Sequence, residues 1–258
     1  MCLAVIALKQ VPGIPVIVAA NRDEAYARPT APAAPWPDDA RIIGGRDLQA
    51  GGTWMAARAD GRYALVTNVR EPARHLPNAP SRGDLVRNFL LKDETPRAYA
   101  ERLAAIGQSY NGFNLVVGSL EETWYYSNRG GPPRRLAPGI HAVSNHLMDT
   151  PWPKVQRTRA AFTAALRRAP EPEIEVMFQA LQDPTPAPDE ELPDTGIGLA
   201  RERVLSSPFI AGALYGTRSS SVLCMGTQGI ELHELRFGAH GAPTGRSDLH
   251  LPAVQPLR

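Results

Sequence analysis

The 258-residue chain is 43% hydrophobic and nearly charge-balanced, with 28 Lys and Arg against 26 Asp and Glu and a formal charge of +2. That suits one large domain with a substantial core, and it supplies no electrostatic field for nucleic acid. Two cysteines, Cys2 and Cys224, exclude a disulfide framework, and no Cys-x-x-Cys spacing exists for zinc or attached haem.

In chain order, the apolar run Cys2-Leu3-Ala4-Val5-Ile6-Ala7-Leu8 predicts a buried strand over about 2–9. Pro12-Gly13 turns the chain into a second strand, 14–21, which ends in Asn21-Arg22-Asp23-Glu24. The opening run has no basic leader, and no stretch reaches the roughly 18 apolar residues of a membrane span. A cytoplasmic protein with no membrane span is therefore expected.

Residues 27–41 read as a Pro-rich loop, and strands follow near 53–58 and 62–69. Helices are predicted over 84–91 and 96–106, the second with Thr95 as cap and Pro96 in its first turn. Strands return at 113–118 and 123–127. Residues 154–168 form an amphipathic pattern with Val155, Phe162 and Leu166 on one side, and 173–182 predicts another helix. Residues 183–196 form a Pro-rich surface excursion. Two strands, 220–225 and 230–237, flank Gly226-Thr227-Gln228-Gly229. Cys224 reads as a core residue, and the tail after Gly238 as frayed. The order argues a single α+β domain over 1–240 with a C-terminal tail at 241–258, helices covering antiparallel sheets.

Cys2 carries the chemistry of interest. If Met1 is removed, the thiol shares its residue with a free α-amine, which titrates near pH 8 and can act as its general base. The other reading is a plain core residue, because free cysteine is often buried. Strand alternation aims Arg22 and Glu24 to one face and Asn21 and Asp23 to the other. A guanidinium beside a thiol favours thiolate, and a carboxylate can orient an ammonium. Asn68 and Asn145 each end an apolar or small-residue stretch, where a carboxamide can serve an oxyanion hole or a turn; Arg218 precedes a strand.

Together these segments resemble the Transport and Golgi organisation protein 2 family, also called NRDE after Asn21–Glu24. The match includes Met1-Cys2, Gly51-Gly52-Thr53-Trp54, Thr67-Asn68-Val69-Arg70, the run from Ser144 through Asp149-Thr150-Pro151-Trp152-Pro153-Lys154-Val155, and Tyr215-Gly216-Thr217-Arg218. The family is similar at a distance to cysteine N-terminal nucleophile (Ntn) hydrolases, including bile salt hydrolases and penicillin V acylases. That resemblance implies a four-layer αββα sandwich of antiparallel sheets. It also implies Cys2 as nucleophile with its amine as base, and Arg22 and Asp23 beside it. Asn68 and Asn145 become oxyanion amides, and Arg218 an arginine near the thiolate. Those hydrolases space the arginine and aspartate farther apart than the adjacent pair here.

Two functions follow as expectations. One is a hydrolase of a linear, non-peptide amide, a small-molecule substrate, needing no cofactor. The other is a non-catalytic carrier or chaperone using the same pocket for haem or an acyl lipid, an amphipathic ligand. For iron, Cys2 could serve as thiolate ligand; the six histidines are scattered without a binding spacing. Trp54, Trp152 and Tyr215 could line an apolar pocket, with the 27–41 and 183–196 loops shaping it.

Overall fold

A computed structural model describes residues 3–252. Its strands are β1 (Leu3–Val11), β2 (Ile14–Ala25), β3 (Thr30–Pro35), β4 (Ile42–Asp47), β5 (Met55–Arg58), β6 (Arg62–Asn68), β7 (Phe113–Gly118), β8 (Thr123–Ser127), β9 (Arg134–Arg135), β10 (Gly139–Val143), β11 (Tyr215–Gly226), β12 (Gly229–Phe237) and β13 (Pro243–Pro252). Helices α1 (Gly83–Leu91) and α2 (Pro96–Ile106) fall between β6 and β7, and α3 (Pro153–Arg168), α4 (Ile174–Leu181) and α5 (Leu199–Val204) between β10 and β11.

The strands form two antiparallel sheets, ordered β10-β1-β2-β11-β12-β13 and β3-β4-β5-β6-β7-β8-β9. Alternation along each strand splits its side chains between two cores. Ala4, Ile6 and Leu8 meet Val18, Ala57, Leu65 and Val116 between the sheets. Leu3, Val5 and Ala7 face Phe162, Met177 and Phe178 of α3 and α4. On the far side, Ala64, Val66 and Leu115 of the second sheet pack on Leu85, Phe89, Tyr99 and Leu103 of α1 and α2. Helix, sheet, sheet and helix thus stack as the expected αββα sandwich. No helix among the described residues is long and apolar enough to cross a membrane.

Local chemistry explains several element boundaries. Thr95 Oγ1 accepts from the Ala98 N–H at 3.2 Å and Pro96 occupies the first turn of α2, as the sequence predicts. Of the early strands, β1 and β2 join the first sheet and β5 and β6 the second. The expected loop at 27–41 contains β3, which among the described residues pairs only with β4; as an edge strand it tolerates Pro32 and Pro35, whose missing N–H groups need no ladder partner.

The tail expected to fray from Gly238 is instead β13, paired with β12 from Pro243 to Pro252. Ser247, Leu249 and Leu251 turn inward while their neighbours stay exposed, a period of two that polar and proline residues hide. The first sheet therefore runs beyond residue 240.

Candidate active site

The polar cluster Asn21–Glu24 lies in the second half of β2, buried except for Glu24. Asn21 faces the helical layer: its Nδ2 donates to the Leu181 and Pro208 carbonyls at 2.8 and 2.9 Å, and its Oδ1 accepts from Ser220 Oγ at 2.6 Å. Asp23 Oδ1 accepts from Thr217 Oγ1 at 2.7 Å on β11. Arg22 turns the other way, 4.3 Å above the Trp54 ring, with Nη1 donating to Thr30 Oγ1 at 3.1 Å. Burial lowers the Arg22 pKa, opposed by Glu24 and reinforced by Arg218. Cys2 lies outside the described residues; Leu3, to which it is bonded, pairs with Asn21 at the start of β1.

Arg218 is set apart by a bulge in β11. Thr217 pairs with Asp23 and Ser219 with Arg22, so Arg218 has no opposite residue and its side chain is re-aimed. Its Nη1 donates to the Arg28 and Ala25 carbonyls and to Thr30 Oγ1 at 2.5, 3.3 and 3.2 Å. It thereby fastens the turn after β2 and meets Arg22 at the shared hydroxyl of Thr30.

Asn68 and Asn145 come together from different sheets. Asn68 ends β6, and Asn145 follows β10, whose Ala142 and Val143 pair with Val5 and Ala4 of β1. Asn145 Nδ2 donates to Asn68 Oδ1 at 3.0 Å, and the Asn145 carbonyl accepts from the Arg70 N–H at 2.8 Å. Around them, Thr67 Oγ1 donates to the Ser144 carbonyl at 2.7 Å, and Asn114 Nδ2 to Thr67 Oγ1 and the His146 carbonyl at 3.0 and 2.8 Å. The loop carrying Asn145 is closed by Asp149, in left-handed backbone at φ 63°, whose Oδ1 accepts from the Ala142 N–H at 2.9 Å.

Two cavities adjoin at this place and share Asp23, Asn68 and Tyr215. One, about 690 Å³, is polar and includes Arg22, Arg28, Asp47, Trp54, His75 and Arg82. The other, about 660 Å³, has an apolar wall of Ile197, Ala200, Val204 and Leu205 from α5 and its approaches, over a floor holding Arg70, Asn145 and Lys154.

The rim of the polar cavity explains Gly51-Gly52-Thr53-Trp54. Gly51 has φ +75°, and a Cβ on Gly52 would lie 2.4 Å from the Gly83 carbonyl carbon. Of the loops expected to shape the pocket, 27–41 contributes Arg28 and 183–196 none of the described lining residues, while residues 75–83 and 197–205 contribute several. Trp54 and Tyr215 line cavities; Trp152 packs on His146 and under Arg70.

The sequence model of the Transport and Golgi organisation 2 family matches residues 1–236. This chain belongs to that family. It is 35% identical to the bovine Transport and Golgi organization protein 2 homolog and 33% to the mouse homolog, each over 83% of both chains. Among solved structures, its fold is similar to a C2A mutant of conjugated bile acid hydrolase from Clostridium perfringens, with a TM-score of 0.52 and 6% identity over 97% of this chain and 92% of that one. The fold of this chain is thus an Ntn hydrolase-like αββα sandwich.

Proposed function

We propose that this family member is an N-terminal cysteine amidohydrolase acting on a linear, non-peptide C–N bond of a small molecule. The observation that carries the reading is the Asn68–Asn145 carboxamide pair at the junction of a polar and an apolar cavity, with Asn145 just after β10, the neighbour of β1. The α-amine of Cys2, freed by loss of Met1, takes the thiol proton, and the sulfur attacks the amide carbon. Carboxamide N–H groups of Asn68 and Asn145 receive the oxyanion as the tetrahedral adduct forms. The α-ammonium then protonates the leaving nitrogen, the C–N bond breaks, and water cleaves the thioester to return the thiol. Asp23 orients the amine, Arg22 favours thiolate, and Arg218 holds the Arg22 side of the pocket through Thr30.

A second reading is carriage of an amphipathic ligand, an acyl lipid or haem, favoured by the apolar wall of α5 beside the arginine-lined cavity. There Arg22, Arg28 and Arg82 would meet ligand carboxylates, and the Cys2 thiolate would serve as iron ligand. The Cys2→Ser variant separates the readings. Loss of turnover on acyl amides with ligand affinity retained supports hydrolysis; a wild type without turnover that binds acyl lipid or haem at micromolar concentration supports carriage.

A further inference from the structure

Lys154 stands where a lysine is costly. It is 2% exposed and sits in the first turn of α3 directly after Pro153, where helix N–H groups disfavour cations. Its Nζ donates to Asn145 Oδ1 at 3.2 Å. Arg70 Nη2 donates to the same oxygen at 3.3 Å, while its Nη1 is held by Glu202 Oε2 at 2.5 Å. Ser144 Oγ is a further partner of that oxygen at 3.3 Å.

A carboxamide can turn over, exchanging oxygen and nitrogen with little change of shape. Ammonium and guanidinium groups donate only, so they accept one of the two orientations. A hydroxyl serves either, and Ser144 does not choose. Turned over, Asn145 would set its own donors against two cations and forfeit two charge-assisted bonds. Its Nδ2 therefore faces Asn68, whose Oδ1 takes the bond. That fixes Asn68 in turn, with its Nδ2 donors on the side away from Asn145.

We infer that Lys154 and Arg70 are positioning residues that lock the carboxamide pair in one orientation, with Asn145 Nδ2 held on Asn68 and the Asn68 Nδ2 turned outward as an oxyanion requires. Its catalytic consequence rests on the amidohydrolase reading; its geometry does not. The test uses ¹⁵N-labelled full-length protein, with the Asn68 and Asn145 side-chain NH₂ signals assigned by their loss in Asn68→Asp and Asn145→Asp. In Lys154→Met with Arg70→Met both signal pairs shift and broaden, whereas Lys154→Arg, a donor-only replacement, largely restores them. On an acyl amide, kcat of the double variant falls by about 10²-fold with KM little changed, the pattern of a lost oxyanion donor. Unmoved NH₂ signals in the folded double variant overturn the inference; if that protein does not fold, Lys154→Met alone gives the same readout. Should wild type cleave no amide, the hydrolase reading fails and the NH₂ signals alone decide the positioning.

Discussion

The bond from Asn145 Nδ2 to Asn68 Oδ1, 3.0 Å long, ties the turn after β10 in one sheet to the end of β6 in the other. The candidate site therefore exists only when the sandwich has closed, and anything that loosens one sheet edge reaches the amide pair.

Glu202 fastens α5 over the site. Its side chain, 3% exposed, accepts from Arg70 and from the Thr195 N–H, the latter at 2.9 Å. Glu202→Leu leaves a buried guanidinium without its carboxylate, which costs about 3–5 kcal/mol. Urea unfolding should show that loss, and limited proteolysis should begin near residues 195–205 before the sheets are cut.

His141 and Asp149 brace the Asn145 loop. His141 Nδ1 lies 3.0 Å from Asp149 Oδ2 and Nε2 lies 2.9 Å from the Ala137 carbonyl. Two acceptors demand two ring N–H groups, so Asp149, with help from the Ala137 carbonyl and against burial, raises the His141 pKa above 6.5. Burial acts to raise the Asp149 pKa, but His141, the Ala142 N–H and Arg159 outweigh it and hold it below 3.8. A raised His pKa stabilises fully below 6.5 and is lost as pH rises through the folded value; a depressed Asp pKa stabilises above 3.8 and is lost as pH falls through its folded value. The Tm gap between wild type and His141→Gln should be widest between those two pH values and narrow above them. A gap that widens toward pH 9 would refute the bracing.

Gly52→Ala should be costly despite its conservative chemistry. The new methyl meets the Gly83 backbone at 2.4 Å, at the start of α1, and backbone cannot swing aside. A loss of about 1–3 kcal/mol is expected in denaturant unfolding, the cost of overpacking. Gly131→Ala, with no atom within 4 Å of the added carbon, is the control expected to be near neutral.

Cys224 should be inert. It is buried in β11, and burial, assisted by Glu231, pushes its thiol up to about 12. Iodoacetamide at pH 7.5 should leave Cys224 unmodified in folded protein and alkylate it in urea. Labelling of native Cys224 at the unfolded rate would contradict this.

Much of the architecture was legible because burial leaves periodicity. Val155, Phe162 and Leu166 marked α3, and the apolar runs of β1 and β2 marked the central strands. β3 and β13 were hidden for opposite physical reasons: prolines are tolerated where an edge needs no donor, and the inward residues of β13 are few among exposed polar ones. Asn68 and Asn145 could be named from strand ends, but their bond joins residues 77 apart, which no local pattern encodes. Lys154 left a signal that could have been read: a lone lysine just inside a helix start, behind a proline, in an arginine-rich chain. Glu202 left none, since a charged residue on a short helix ordinarily faces water.

The proposed attack of an N-terminal Cys2 on an amide carbonyl can be observed directly. Folded wild-type protein is incubated with a small acyl-amide probe, and the N-terminal peptide is weighed by mass spectrometry. The expected peptide begins at Cys2, without Met1, and carries one acyl group that hydroxylamine removes. A peptide that retains Met1 and carries no acyl group in soluble, folded protein would contradict it.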